Sequence, residues 1–259
     1  MFCVLSVERK KLTLLEKIFK FLVHDEYSIK TIPVFKGAPF YVLEVKVSGD
    51  VDWYKIIENA GKCSKRLIVS GDIEIPDLND LGVFKSSVLY NKVFQSTLLE
   101  ILKNNKSPQY ISVLDKNAKN IDFVFKLSQY ASRLTVVTEN KQKYLNVCDK
   151  ILNDTGLCIS LHSNFDNARI KIDTGRNIMS IENKNEFLNI SNGENILVND
   201  VYKKLLPKGI NEQDFYSALY EFCGVFSLGE CIFETVCVNN EKKLIKDIQF
   251  AWHNGNFLI

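Results

Sequence analysis

Three short apolar runs, at residues 110–114, 134–138 and 157–161, begin about 23 residues apart, and a stretch with helical spacing separates each pair. In the first such stretch Ile121, Val124, Phe125 and Ser128 fall on one helix face, and in the second Tyr144, Val147, Cys148 and Ile151 do so before Asn153-Asp154-Thr155-Gly156 ends the run. Antiparallel strands can be joined by two residues, but parallel strands need a crossover of a dozen or more, and that crossover is right-handed. The spacing therefore reads as βαβαβ, one half of a doubly wound parallel sheet.

The rest of the chain is built of similar pieces. Residues 2–7 read as a strand, and Leu12, Leu15, Ile18, Phe19 and Leu22 make a helical stripe. Strands over 27–35 and 40–47 are joined by a turn at Lys36-Gly37-Ala38-Pro39. A helix over about 51–63, a strand at 66–70 and a helix over 86–102 follow. The apolar residues of that last helix do not fit one narrow stripe, as in a segment covered on more than one side. Lys103-Asn104-Asn105-Lys106-Ser107-Pro108 is polar and closed by a proline, so it reads as a linker. The expected fold class is α/β in two parts, an N-terminal α/β domain over 1–106 and a Rossmann-like domain over 107–259. The second carries added short strands at 169–172, 178–181, 187–190 and 196–198. Asn211 with Asp214 opens a helix bearing Phe215, Ala218, Leu219 and Phe222, and Asn254-Gly255 turns a hairpin over 250–259.

Charge excludes one large class of partner. With Lys+Arg 33 against Asp+Glu 31, the net charge is +2, and neither half carries a basic excess (16 − 13 before the linker's end, 17 − 18 after). Nucleic-acid affinity rests on clustered cations, so no nucleic-acid partner is expected. No run of about 18 apolar residues occurs and the first residues carry no basic leader, so neither a membrane nor secretion is expected. Seven cysteines, an odd number set mostly in apolar surroundings, point the same way, to a cytoplasmic protein with reduced thiols. The lysine, asparagine and isoleucine bias is that of AT-rich codons and suggests a low-GC bacterial source.

In an open parallel sheet, ligands sit beyond the carboxyl ends of the strands. Here those ends are Asp115-Lys116-Asn117, Glu139-Asn140 and His162-Ser163-Asn164, so Asp115, Asn117, Glu139 and His162 are the candidate ligand-binding residues. In its strand, helix, strand, acidic-residue order the stretch from about 109 to 206 resembles the NAD(P)-binding Rossmann superfamily. That resemblance implies an NAD(P) cofactor, with Glu139 on a ribose hydroxyl. Residues 196–202 look faintly like the strand and loop that close the cofactor domain in shikimate dehydrogenase relatives. The family's phosphate loop, however, is Gly-x-Gly-x-x-Gly, because the backbone must turn tightly and approach the pyrophosphate. This chain has Asp115-Lys116-Asn117-Ala118-Lys119-Asn120 there, without a glycine and with a carboxylate that would repel a diphosphate.

Other motifs are weaker. Asp173-Thr174-Gly175 matches the triplet of aspartic proteases, but that chemistry needs two such aspartates, and one copy in an α/β pattern reads as a strand-ending turn. Cys223, Cys231, Cys237 and His253 lack zinc spacing, so no metal is expected and the cysteines read as packing residues. No Gly-x-Ser-x-Gly elbow is present. The apolar, glycine-punctuated stretch 222–233 reads as core, or as a partner surface if exposed. The reading that follows is a Rossmann-like domain used for protein contacts, as an oligomer or with a partner, or for small-ligand sensing. An NAD(P)-dependent oxidoreductase with an atypical cofactor loop is the alternative. Hydrolase or transferase chemistry assembled between the domains is a third.

Overall fold

The computed structural model describes residues 1–10, 24–70, 73–104, 109–165, 167–183 and 186–248. The helical stripe at 12–22, residues 105–108 of the linker and the hairpin at 250–259 lie outside the described residues. The protein is α/β, with two sheets carrying parallel strands and helices. Contacts divide the chain into Met1–Tyr90 with Val198–Gly229, and Asn91–Leu197 with Glu230–Ile259. This division takes a different course from the 106/107 boundary.

The first unit holds β1 (Cys3–Arg9), β2 (Glu26–Val34), β3 (Gly37–Val47) and β4 (Leu67–Val69), in the order β2-β3-β1-β4. β1 runs parallel to β3 and β4, and β2 antiparallel to β3. The β2–β3 turn is tighter than the sequence suggested: it is the two residues Phe35-Lys36, with Lys36 at φ 56°, and Gly37 already belongs to β3. The register slips between Ile32 and Val34, at Pro33, which has no N–H to give a ladder.

Strand periodicity sorts the side chains. Cys3, Leu5, Leu43, Val45 and Val47 pack with Ile56 and Ala60 of helix α1 (Trp53–Ala60) and with Cys63 and Leu67. Asp52 starts α1 by accepting the N–H groups of Tyr54 and Lys55. Residues of opposite parity, Phe2 and Phe40, stack with ring centroids 5.0 Å apart and meet Phe215 edge-on. Phe215 comes from α6 (Glu212–Cys223), whose first turn is capped by Asn211 accepting the Asp214 N–H. In the 222–233 stretch Cys223, Val225, Leu228 and Phe233 are buried and Phe226 is exposed.

Helix α2 (Val88–Lys103) runs across the division, which falls between Tyr90 and Asn91. The second unit holds β5 (Gln109–Leu114), α3 (Ile121–Leu127), β6 (Ala131–Val137), α4 (Lys141–Thr155), β7 (Ile159–His162) and β8 (Ile170–Asp173), then β9 (Ile178–Asn183), β10 (Glu186–Ile196), β11 (Phe233–Val238) and β12 (Glu241–Leu244). Its sheet runs β12-β11-β10-β9-β8-β5-β6-β7. β8, β5, β6 and β7 are mutually parallel, and β8 through β12 form an antiparallel meander. The chain leaves β7 at the sheet edge and returns on the far side of β5, so the strand order reverses between β5 and β8.

Two close contacts fix the meander. Between Ser191 and Gly193, β10 bulges against β11, and a Cβ on Gly193 would lie 1.9 Å from the Phe233 ring. Only glycine lets that buried ring lie across the strand. The Phe233 N–H donates to Thr97 Oγ1 (2.9 Å), and the Thr97 hydroxyl donates to the Val93 carbonyl one turn back in α2 (2.8 Å). Short α5 (Asp200–Lys203) is capped by Asn199, so β10 ends at Ile196 and the strand read at 196–198 does not continue past it.

Candidate functional site

A cavity of about 490 Å³ opens where the strand order reverses, at the carboxyl ends of β5 and β8. Connecting loops diverge at such a point and leave a crevice, which is where open α/β sheets take ligands. One wall is the turn after β5, from Leu114 to Asn120, the other is Asp173 to Arg176 after β8, and Asn91 of α2 closes a side.

Asp115 organises the first wall. It is buried (3% exposed), and its backbone N–H donates to the Val137 carbonyl of β6. Its carboxylate accepts four hydrogen bonds: from the Lys119 N–H (3.1 Å), the Asn120 N–H (2.8 Å), Asn120 Nδ2 (3.2 Å) and the Tyr144 hydroxyl (2.6 Å). The turn is held inward onto this carboxylate, and Ala118, buried within it, adopts φ 52°. Tyr144 is fully buried, and that burial, then the Asp115 bond, pushes its hydroxyl pKa well above the ordinary tyrosine range. The N–H groups that a glycine-rich loop would turn toward a pyrophosphate are here turned toward an internal anion.

The second wall is tied to the first. Thr174 donates its hydroxyl to the Leu114 carbonyl (2.8 Å) and accepts from Asn120 Nδ2 (3.1 Å), while Gln95 Nε2 donates to Asn120 Oδ1 (2.7 Å). Asp173 Oδ1 accepts the N–H groups of Gly175 (2.9 Å) and Arg176 (3.1 Å), and Oδ2 lies 3.7 Å from Arg176 Nε. The Asp173-Thr174-Gly175 triplet is thus a side-chain-closed turn ending β8. Asn91 accepts a hydrogen bond from Asn177, which follows this turn.

Of the four residues singled out by sequence, Asp115 and Asn117 line the cavity. Glu139 stands exposed at the end of β6, paired with Lys116 at 3.1 Å across the mouth of the turn, with its N–H on the Lys116 carbonyl. His162 ends β7, exposed and one strand beyond β6. Its carbonyl accepts the Thr138 N–H, and it does not line the cavity. Sequence reasoning missed Asn91, Thr174 and Arg176 as lining residues. The signal was the segment 169–172, which as the fourth strand of a doubly wound order stands beside the first and brings its loop to the crevice.

No family model matches the chain, and no curated protein matches its sequence. Among solved structures, L-tryptophan dehydrogenase from Nostoc punctiforme is similar at 9% identity with a TM-score of 0.26, over 66% of this chain and 56% of that one. The chain thus spans a little over half of that protein, and the likeness is a weak one of fold that carries no argument about the site. Among the described residues no helix is long and apolar enough to cross a membrane.

Proposed function

We propose that the second unit is a small-ligand-binding module, used for sensing, that takes a polar compound in the crevice between β5 and β8 and carries no dinucleotide chemistry. The observation behind this reading is the Asp115 carboxylate. It engages the Lys119 and Asn120 N–H groups and puts a negative charge where a pyrophosphate would lie. A cavity of about 490 Å³ falls within the roughly 300–1,000 Å³ usual for small-molecule sites. The alternative, an NAD(P)-dependent oxidoreductase, is favoured by the position of Glu139 at the end of β6, where a ribose hydroxyl would be held. Against it, that carboxylate is already paired with Lys116.

Thermal-shift measurements on the full chain test the two readings. A panel of small polar metabolites is screened against the native protein and against Asn117→Trp, which places a bulky ring in an exposed lining position. The binding reading expects stabilisation by a panel member that is lost in the variant, and none from NADH or NADPH at about 1 mM, a concentration that reveals even weak binding. Stabilisation by either dinucleotide that Glu139→Ala weakens would establish the alternative. A panel that stabilises both proteins equally, or neither, would remove the module reading.

A further inference from the structure

Resting on the reading of the crevice as a ligand site, we infer that its ligand is a small organic anion, and that the anionic group is held by the Lys119 and Arg176 side chains rather than by the backbone of the turn. The lining carries two carboxylates and three cations, and they differ in how much of their bonding capacity is spent. Asp115 is saturated by four donors, and Asp173 has one oxygen on two backbone N–H groups and the other toward Arg176 Nε. Lys116 faces Glu139. Among the described residues Lys119 has no ion pair, and Arg176, its side chain 80% exposed, has one loose pairing, through Nε at 3.7 Å from Asp173, and no side-chain hydrogen bond.

What remains available to a ligand is therefore cationic and donor-rich. An ammonium gives three N–H donors and the guanidinium fork matches the two oxygens of a carboxylate or phosphate. Asp115 has little left to accept from a ligand, whereas Asp173 Oδ2, 3.7 Å from Arg176 Nε, keeps acceptor capacity, so the three cations outnumber the carboxylate oxygen a cationic ligand would seek. The buried carboxylate sets the depth at which the anion stops: the group is held toward the rim, where the two side chains are exposed, and the body of the ligand reaches the Asn91 and Asn117 amides. Exposed cations act through a screened field, so the affinity is modest and falls as salt is raised.

The test titrates the full chain with ribose 5-phosphate, lactate, inorganic phosphate and uncharged ribose, following amide chemical shifts of Asn117, Thr174 and Gly175. Ribose 5-phosphate and lactate separate the phosphate-ester and carboxylate sources of the anion, and inorganic phosphate reads the clamp without an organic body. The inference expects at least one anion to move these signals while ribose does not. Arg176→Gln and Lys119→Gln, both at exposed positions, are each expected to weaken that anion by about tenfold, and the pair by about a hundredfold. Glu139→Gln, which releases Lys116, is expected to strengthen it. Pocket shifts with ribose equal to those with ribose 5-phosphate, or anion binding indifferent to both cation variants, would overturn the anion clamp and leave the ligand-binding reading standing. No pocket response to any of the four probes would overturn both.

Discussion

Removing the Asp115 carboxylate is the most direct trial of the idea that it serves as the built-in anion of the β5–α3 turn. In Asp115→Ala four donors lose their acceptor at once. The Tyr144 hydroxyl sits on a fully buried ring and stays unpaired, a cost of about 1–3 kcal/mol. The Lys119 and Asn120 donors belong to residues that line the cavity, so water entering the space left by the carboxylate replaces part of the loss and each adds less. The sum is about 3–5 kcal/mol, in line with breaking a buried charged hydrogen-bond set. For a unit of this size each kcal/mol moves Tm by about 2–4 °C, which gives a fall of roughly 6–20 °C. Urea and thermal denaturation of the full chain, followed by circular dichroism, read this directly. Tyr144→Phe alone is expected to cost about 1–2 kcal/mol. The double variant should cost less than the sum of the singles, because both remove the same bond. Added formate, which fits the space left by the carboxylate, should restabilise Asp115→Ala while leaving the native protein unchanged. A variant that loses less than about 1 kcal/mol, or strictly additive singles, would refute the claim that this carboxylate holds the turn.

The remaining predictions concern packing and pH. Gly193→Ala drives a methyl into the Phe233 ring and should cost about 1–3 kcal/mol or more in urea denaturation. In a Phe233→Leu background the same change should cost much less, and equal costs in the two backgrounds would dispose of the clash. Burial raises the hydroxyl pKa of Tyr144, and also that of Tyr216, the latter to about 12 with Glu212 adding to the effect. The folded state therefore holds these protons more tightly than the unfolded chain, whose tyrosines titrate near 10. The stability they confer is complete below about pH 10 and declines above it, that of Tyr216 being lost as pH rises through about 12 and that of Tyr144 at higher pH still. Denaturation midpoints measured from pH 8 upward should thus fall beyond pH 10, and a flat profile there would contradict the burial of these hydroxyls.

The βαβαβ core was legible because its cause is local. Apolar runs at strand length, helical spacing between them and Asn/Gly stops leave a parallel sheet as the one economical arrangement, and β5, α3, β6, α4 and β7 fall close to the expected places. Caps were legible for the same reason: Asn211 meets the Asp214 N–H three residues on. The β2–β3 turn was displaced by two residues, because Gly37 and Pro39 read as turn formers when they in fact open a strand. The site was half legible. Asp115 and Asn117 follow from strand-end logic, whereas Thr174 and Arg176 reach the cavity through the β5–β8 pairing, with Thr174 on the Leu114 carbonyl 60 residues away, and Asn91 comes from α2, where it meets Asn177 86 residues away.

By itself, then, the sequence determined the fold class, the parallel core and the absence of a glycine-rich phosphate loop, since each depends on spacing and residue type within a few turns of chain. Only the tertiary structure decided what replaced that loop. The fate of the Asp115 carboxylate depends on the hydroxyl of Tyr144, 29 residues away, and on the folding of the turn over it. The same holds for segment Val198–Gly229, which groups with Met1–Tyr90 because Phe215 completes an aromatic cluster with Phe2 and Phe40. Apolar surface is buried against whatever partner the whole chain brings near, and no local pattern names that partner.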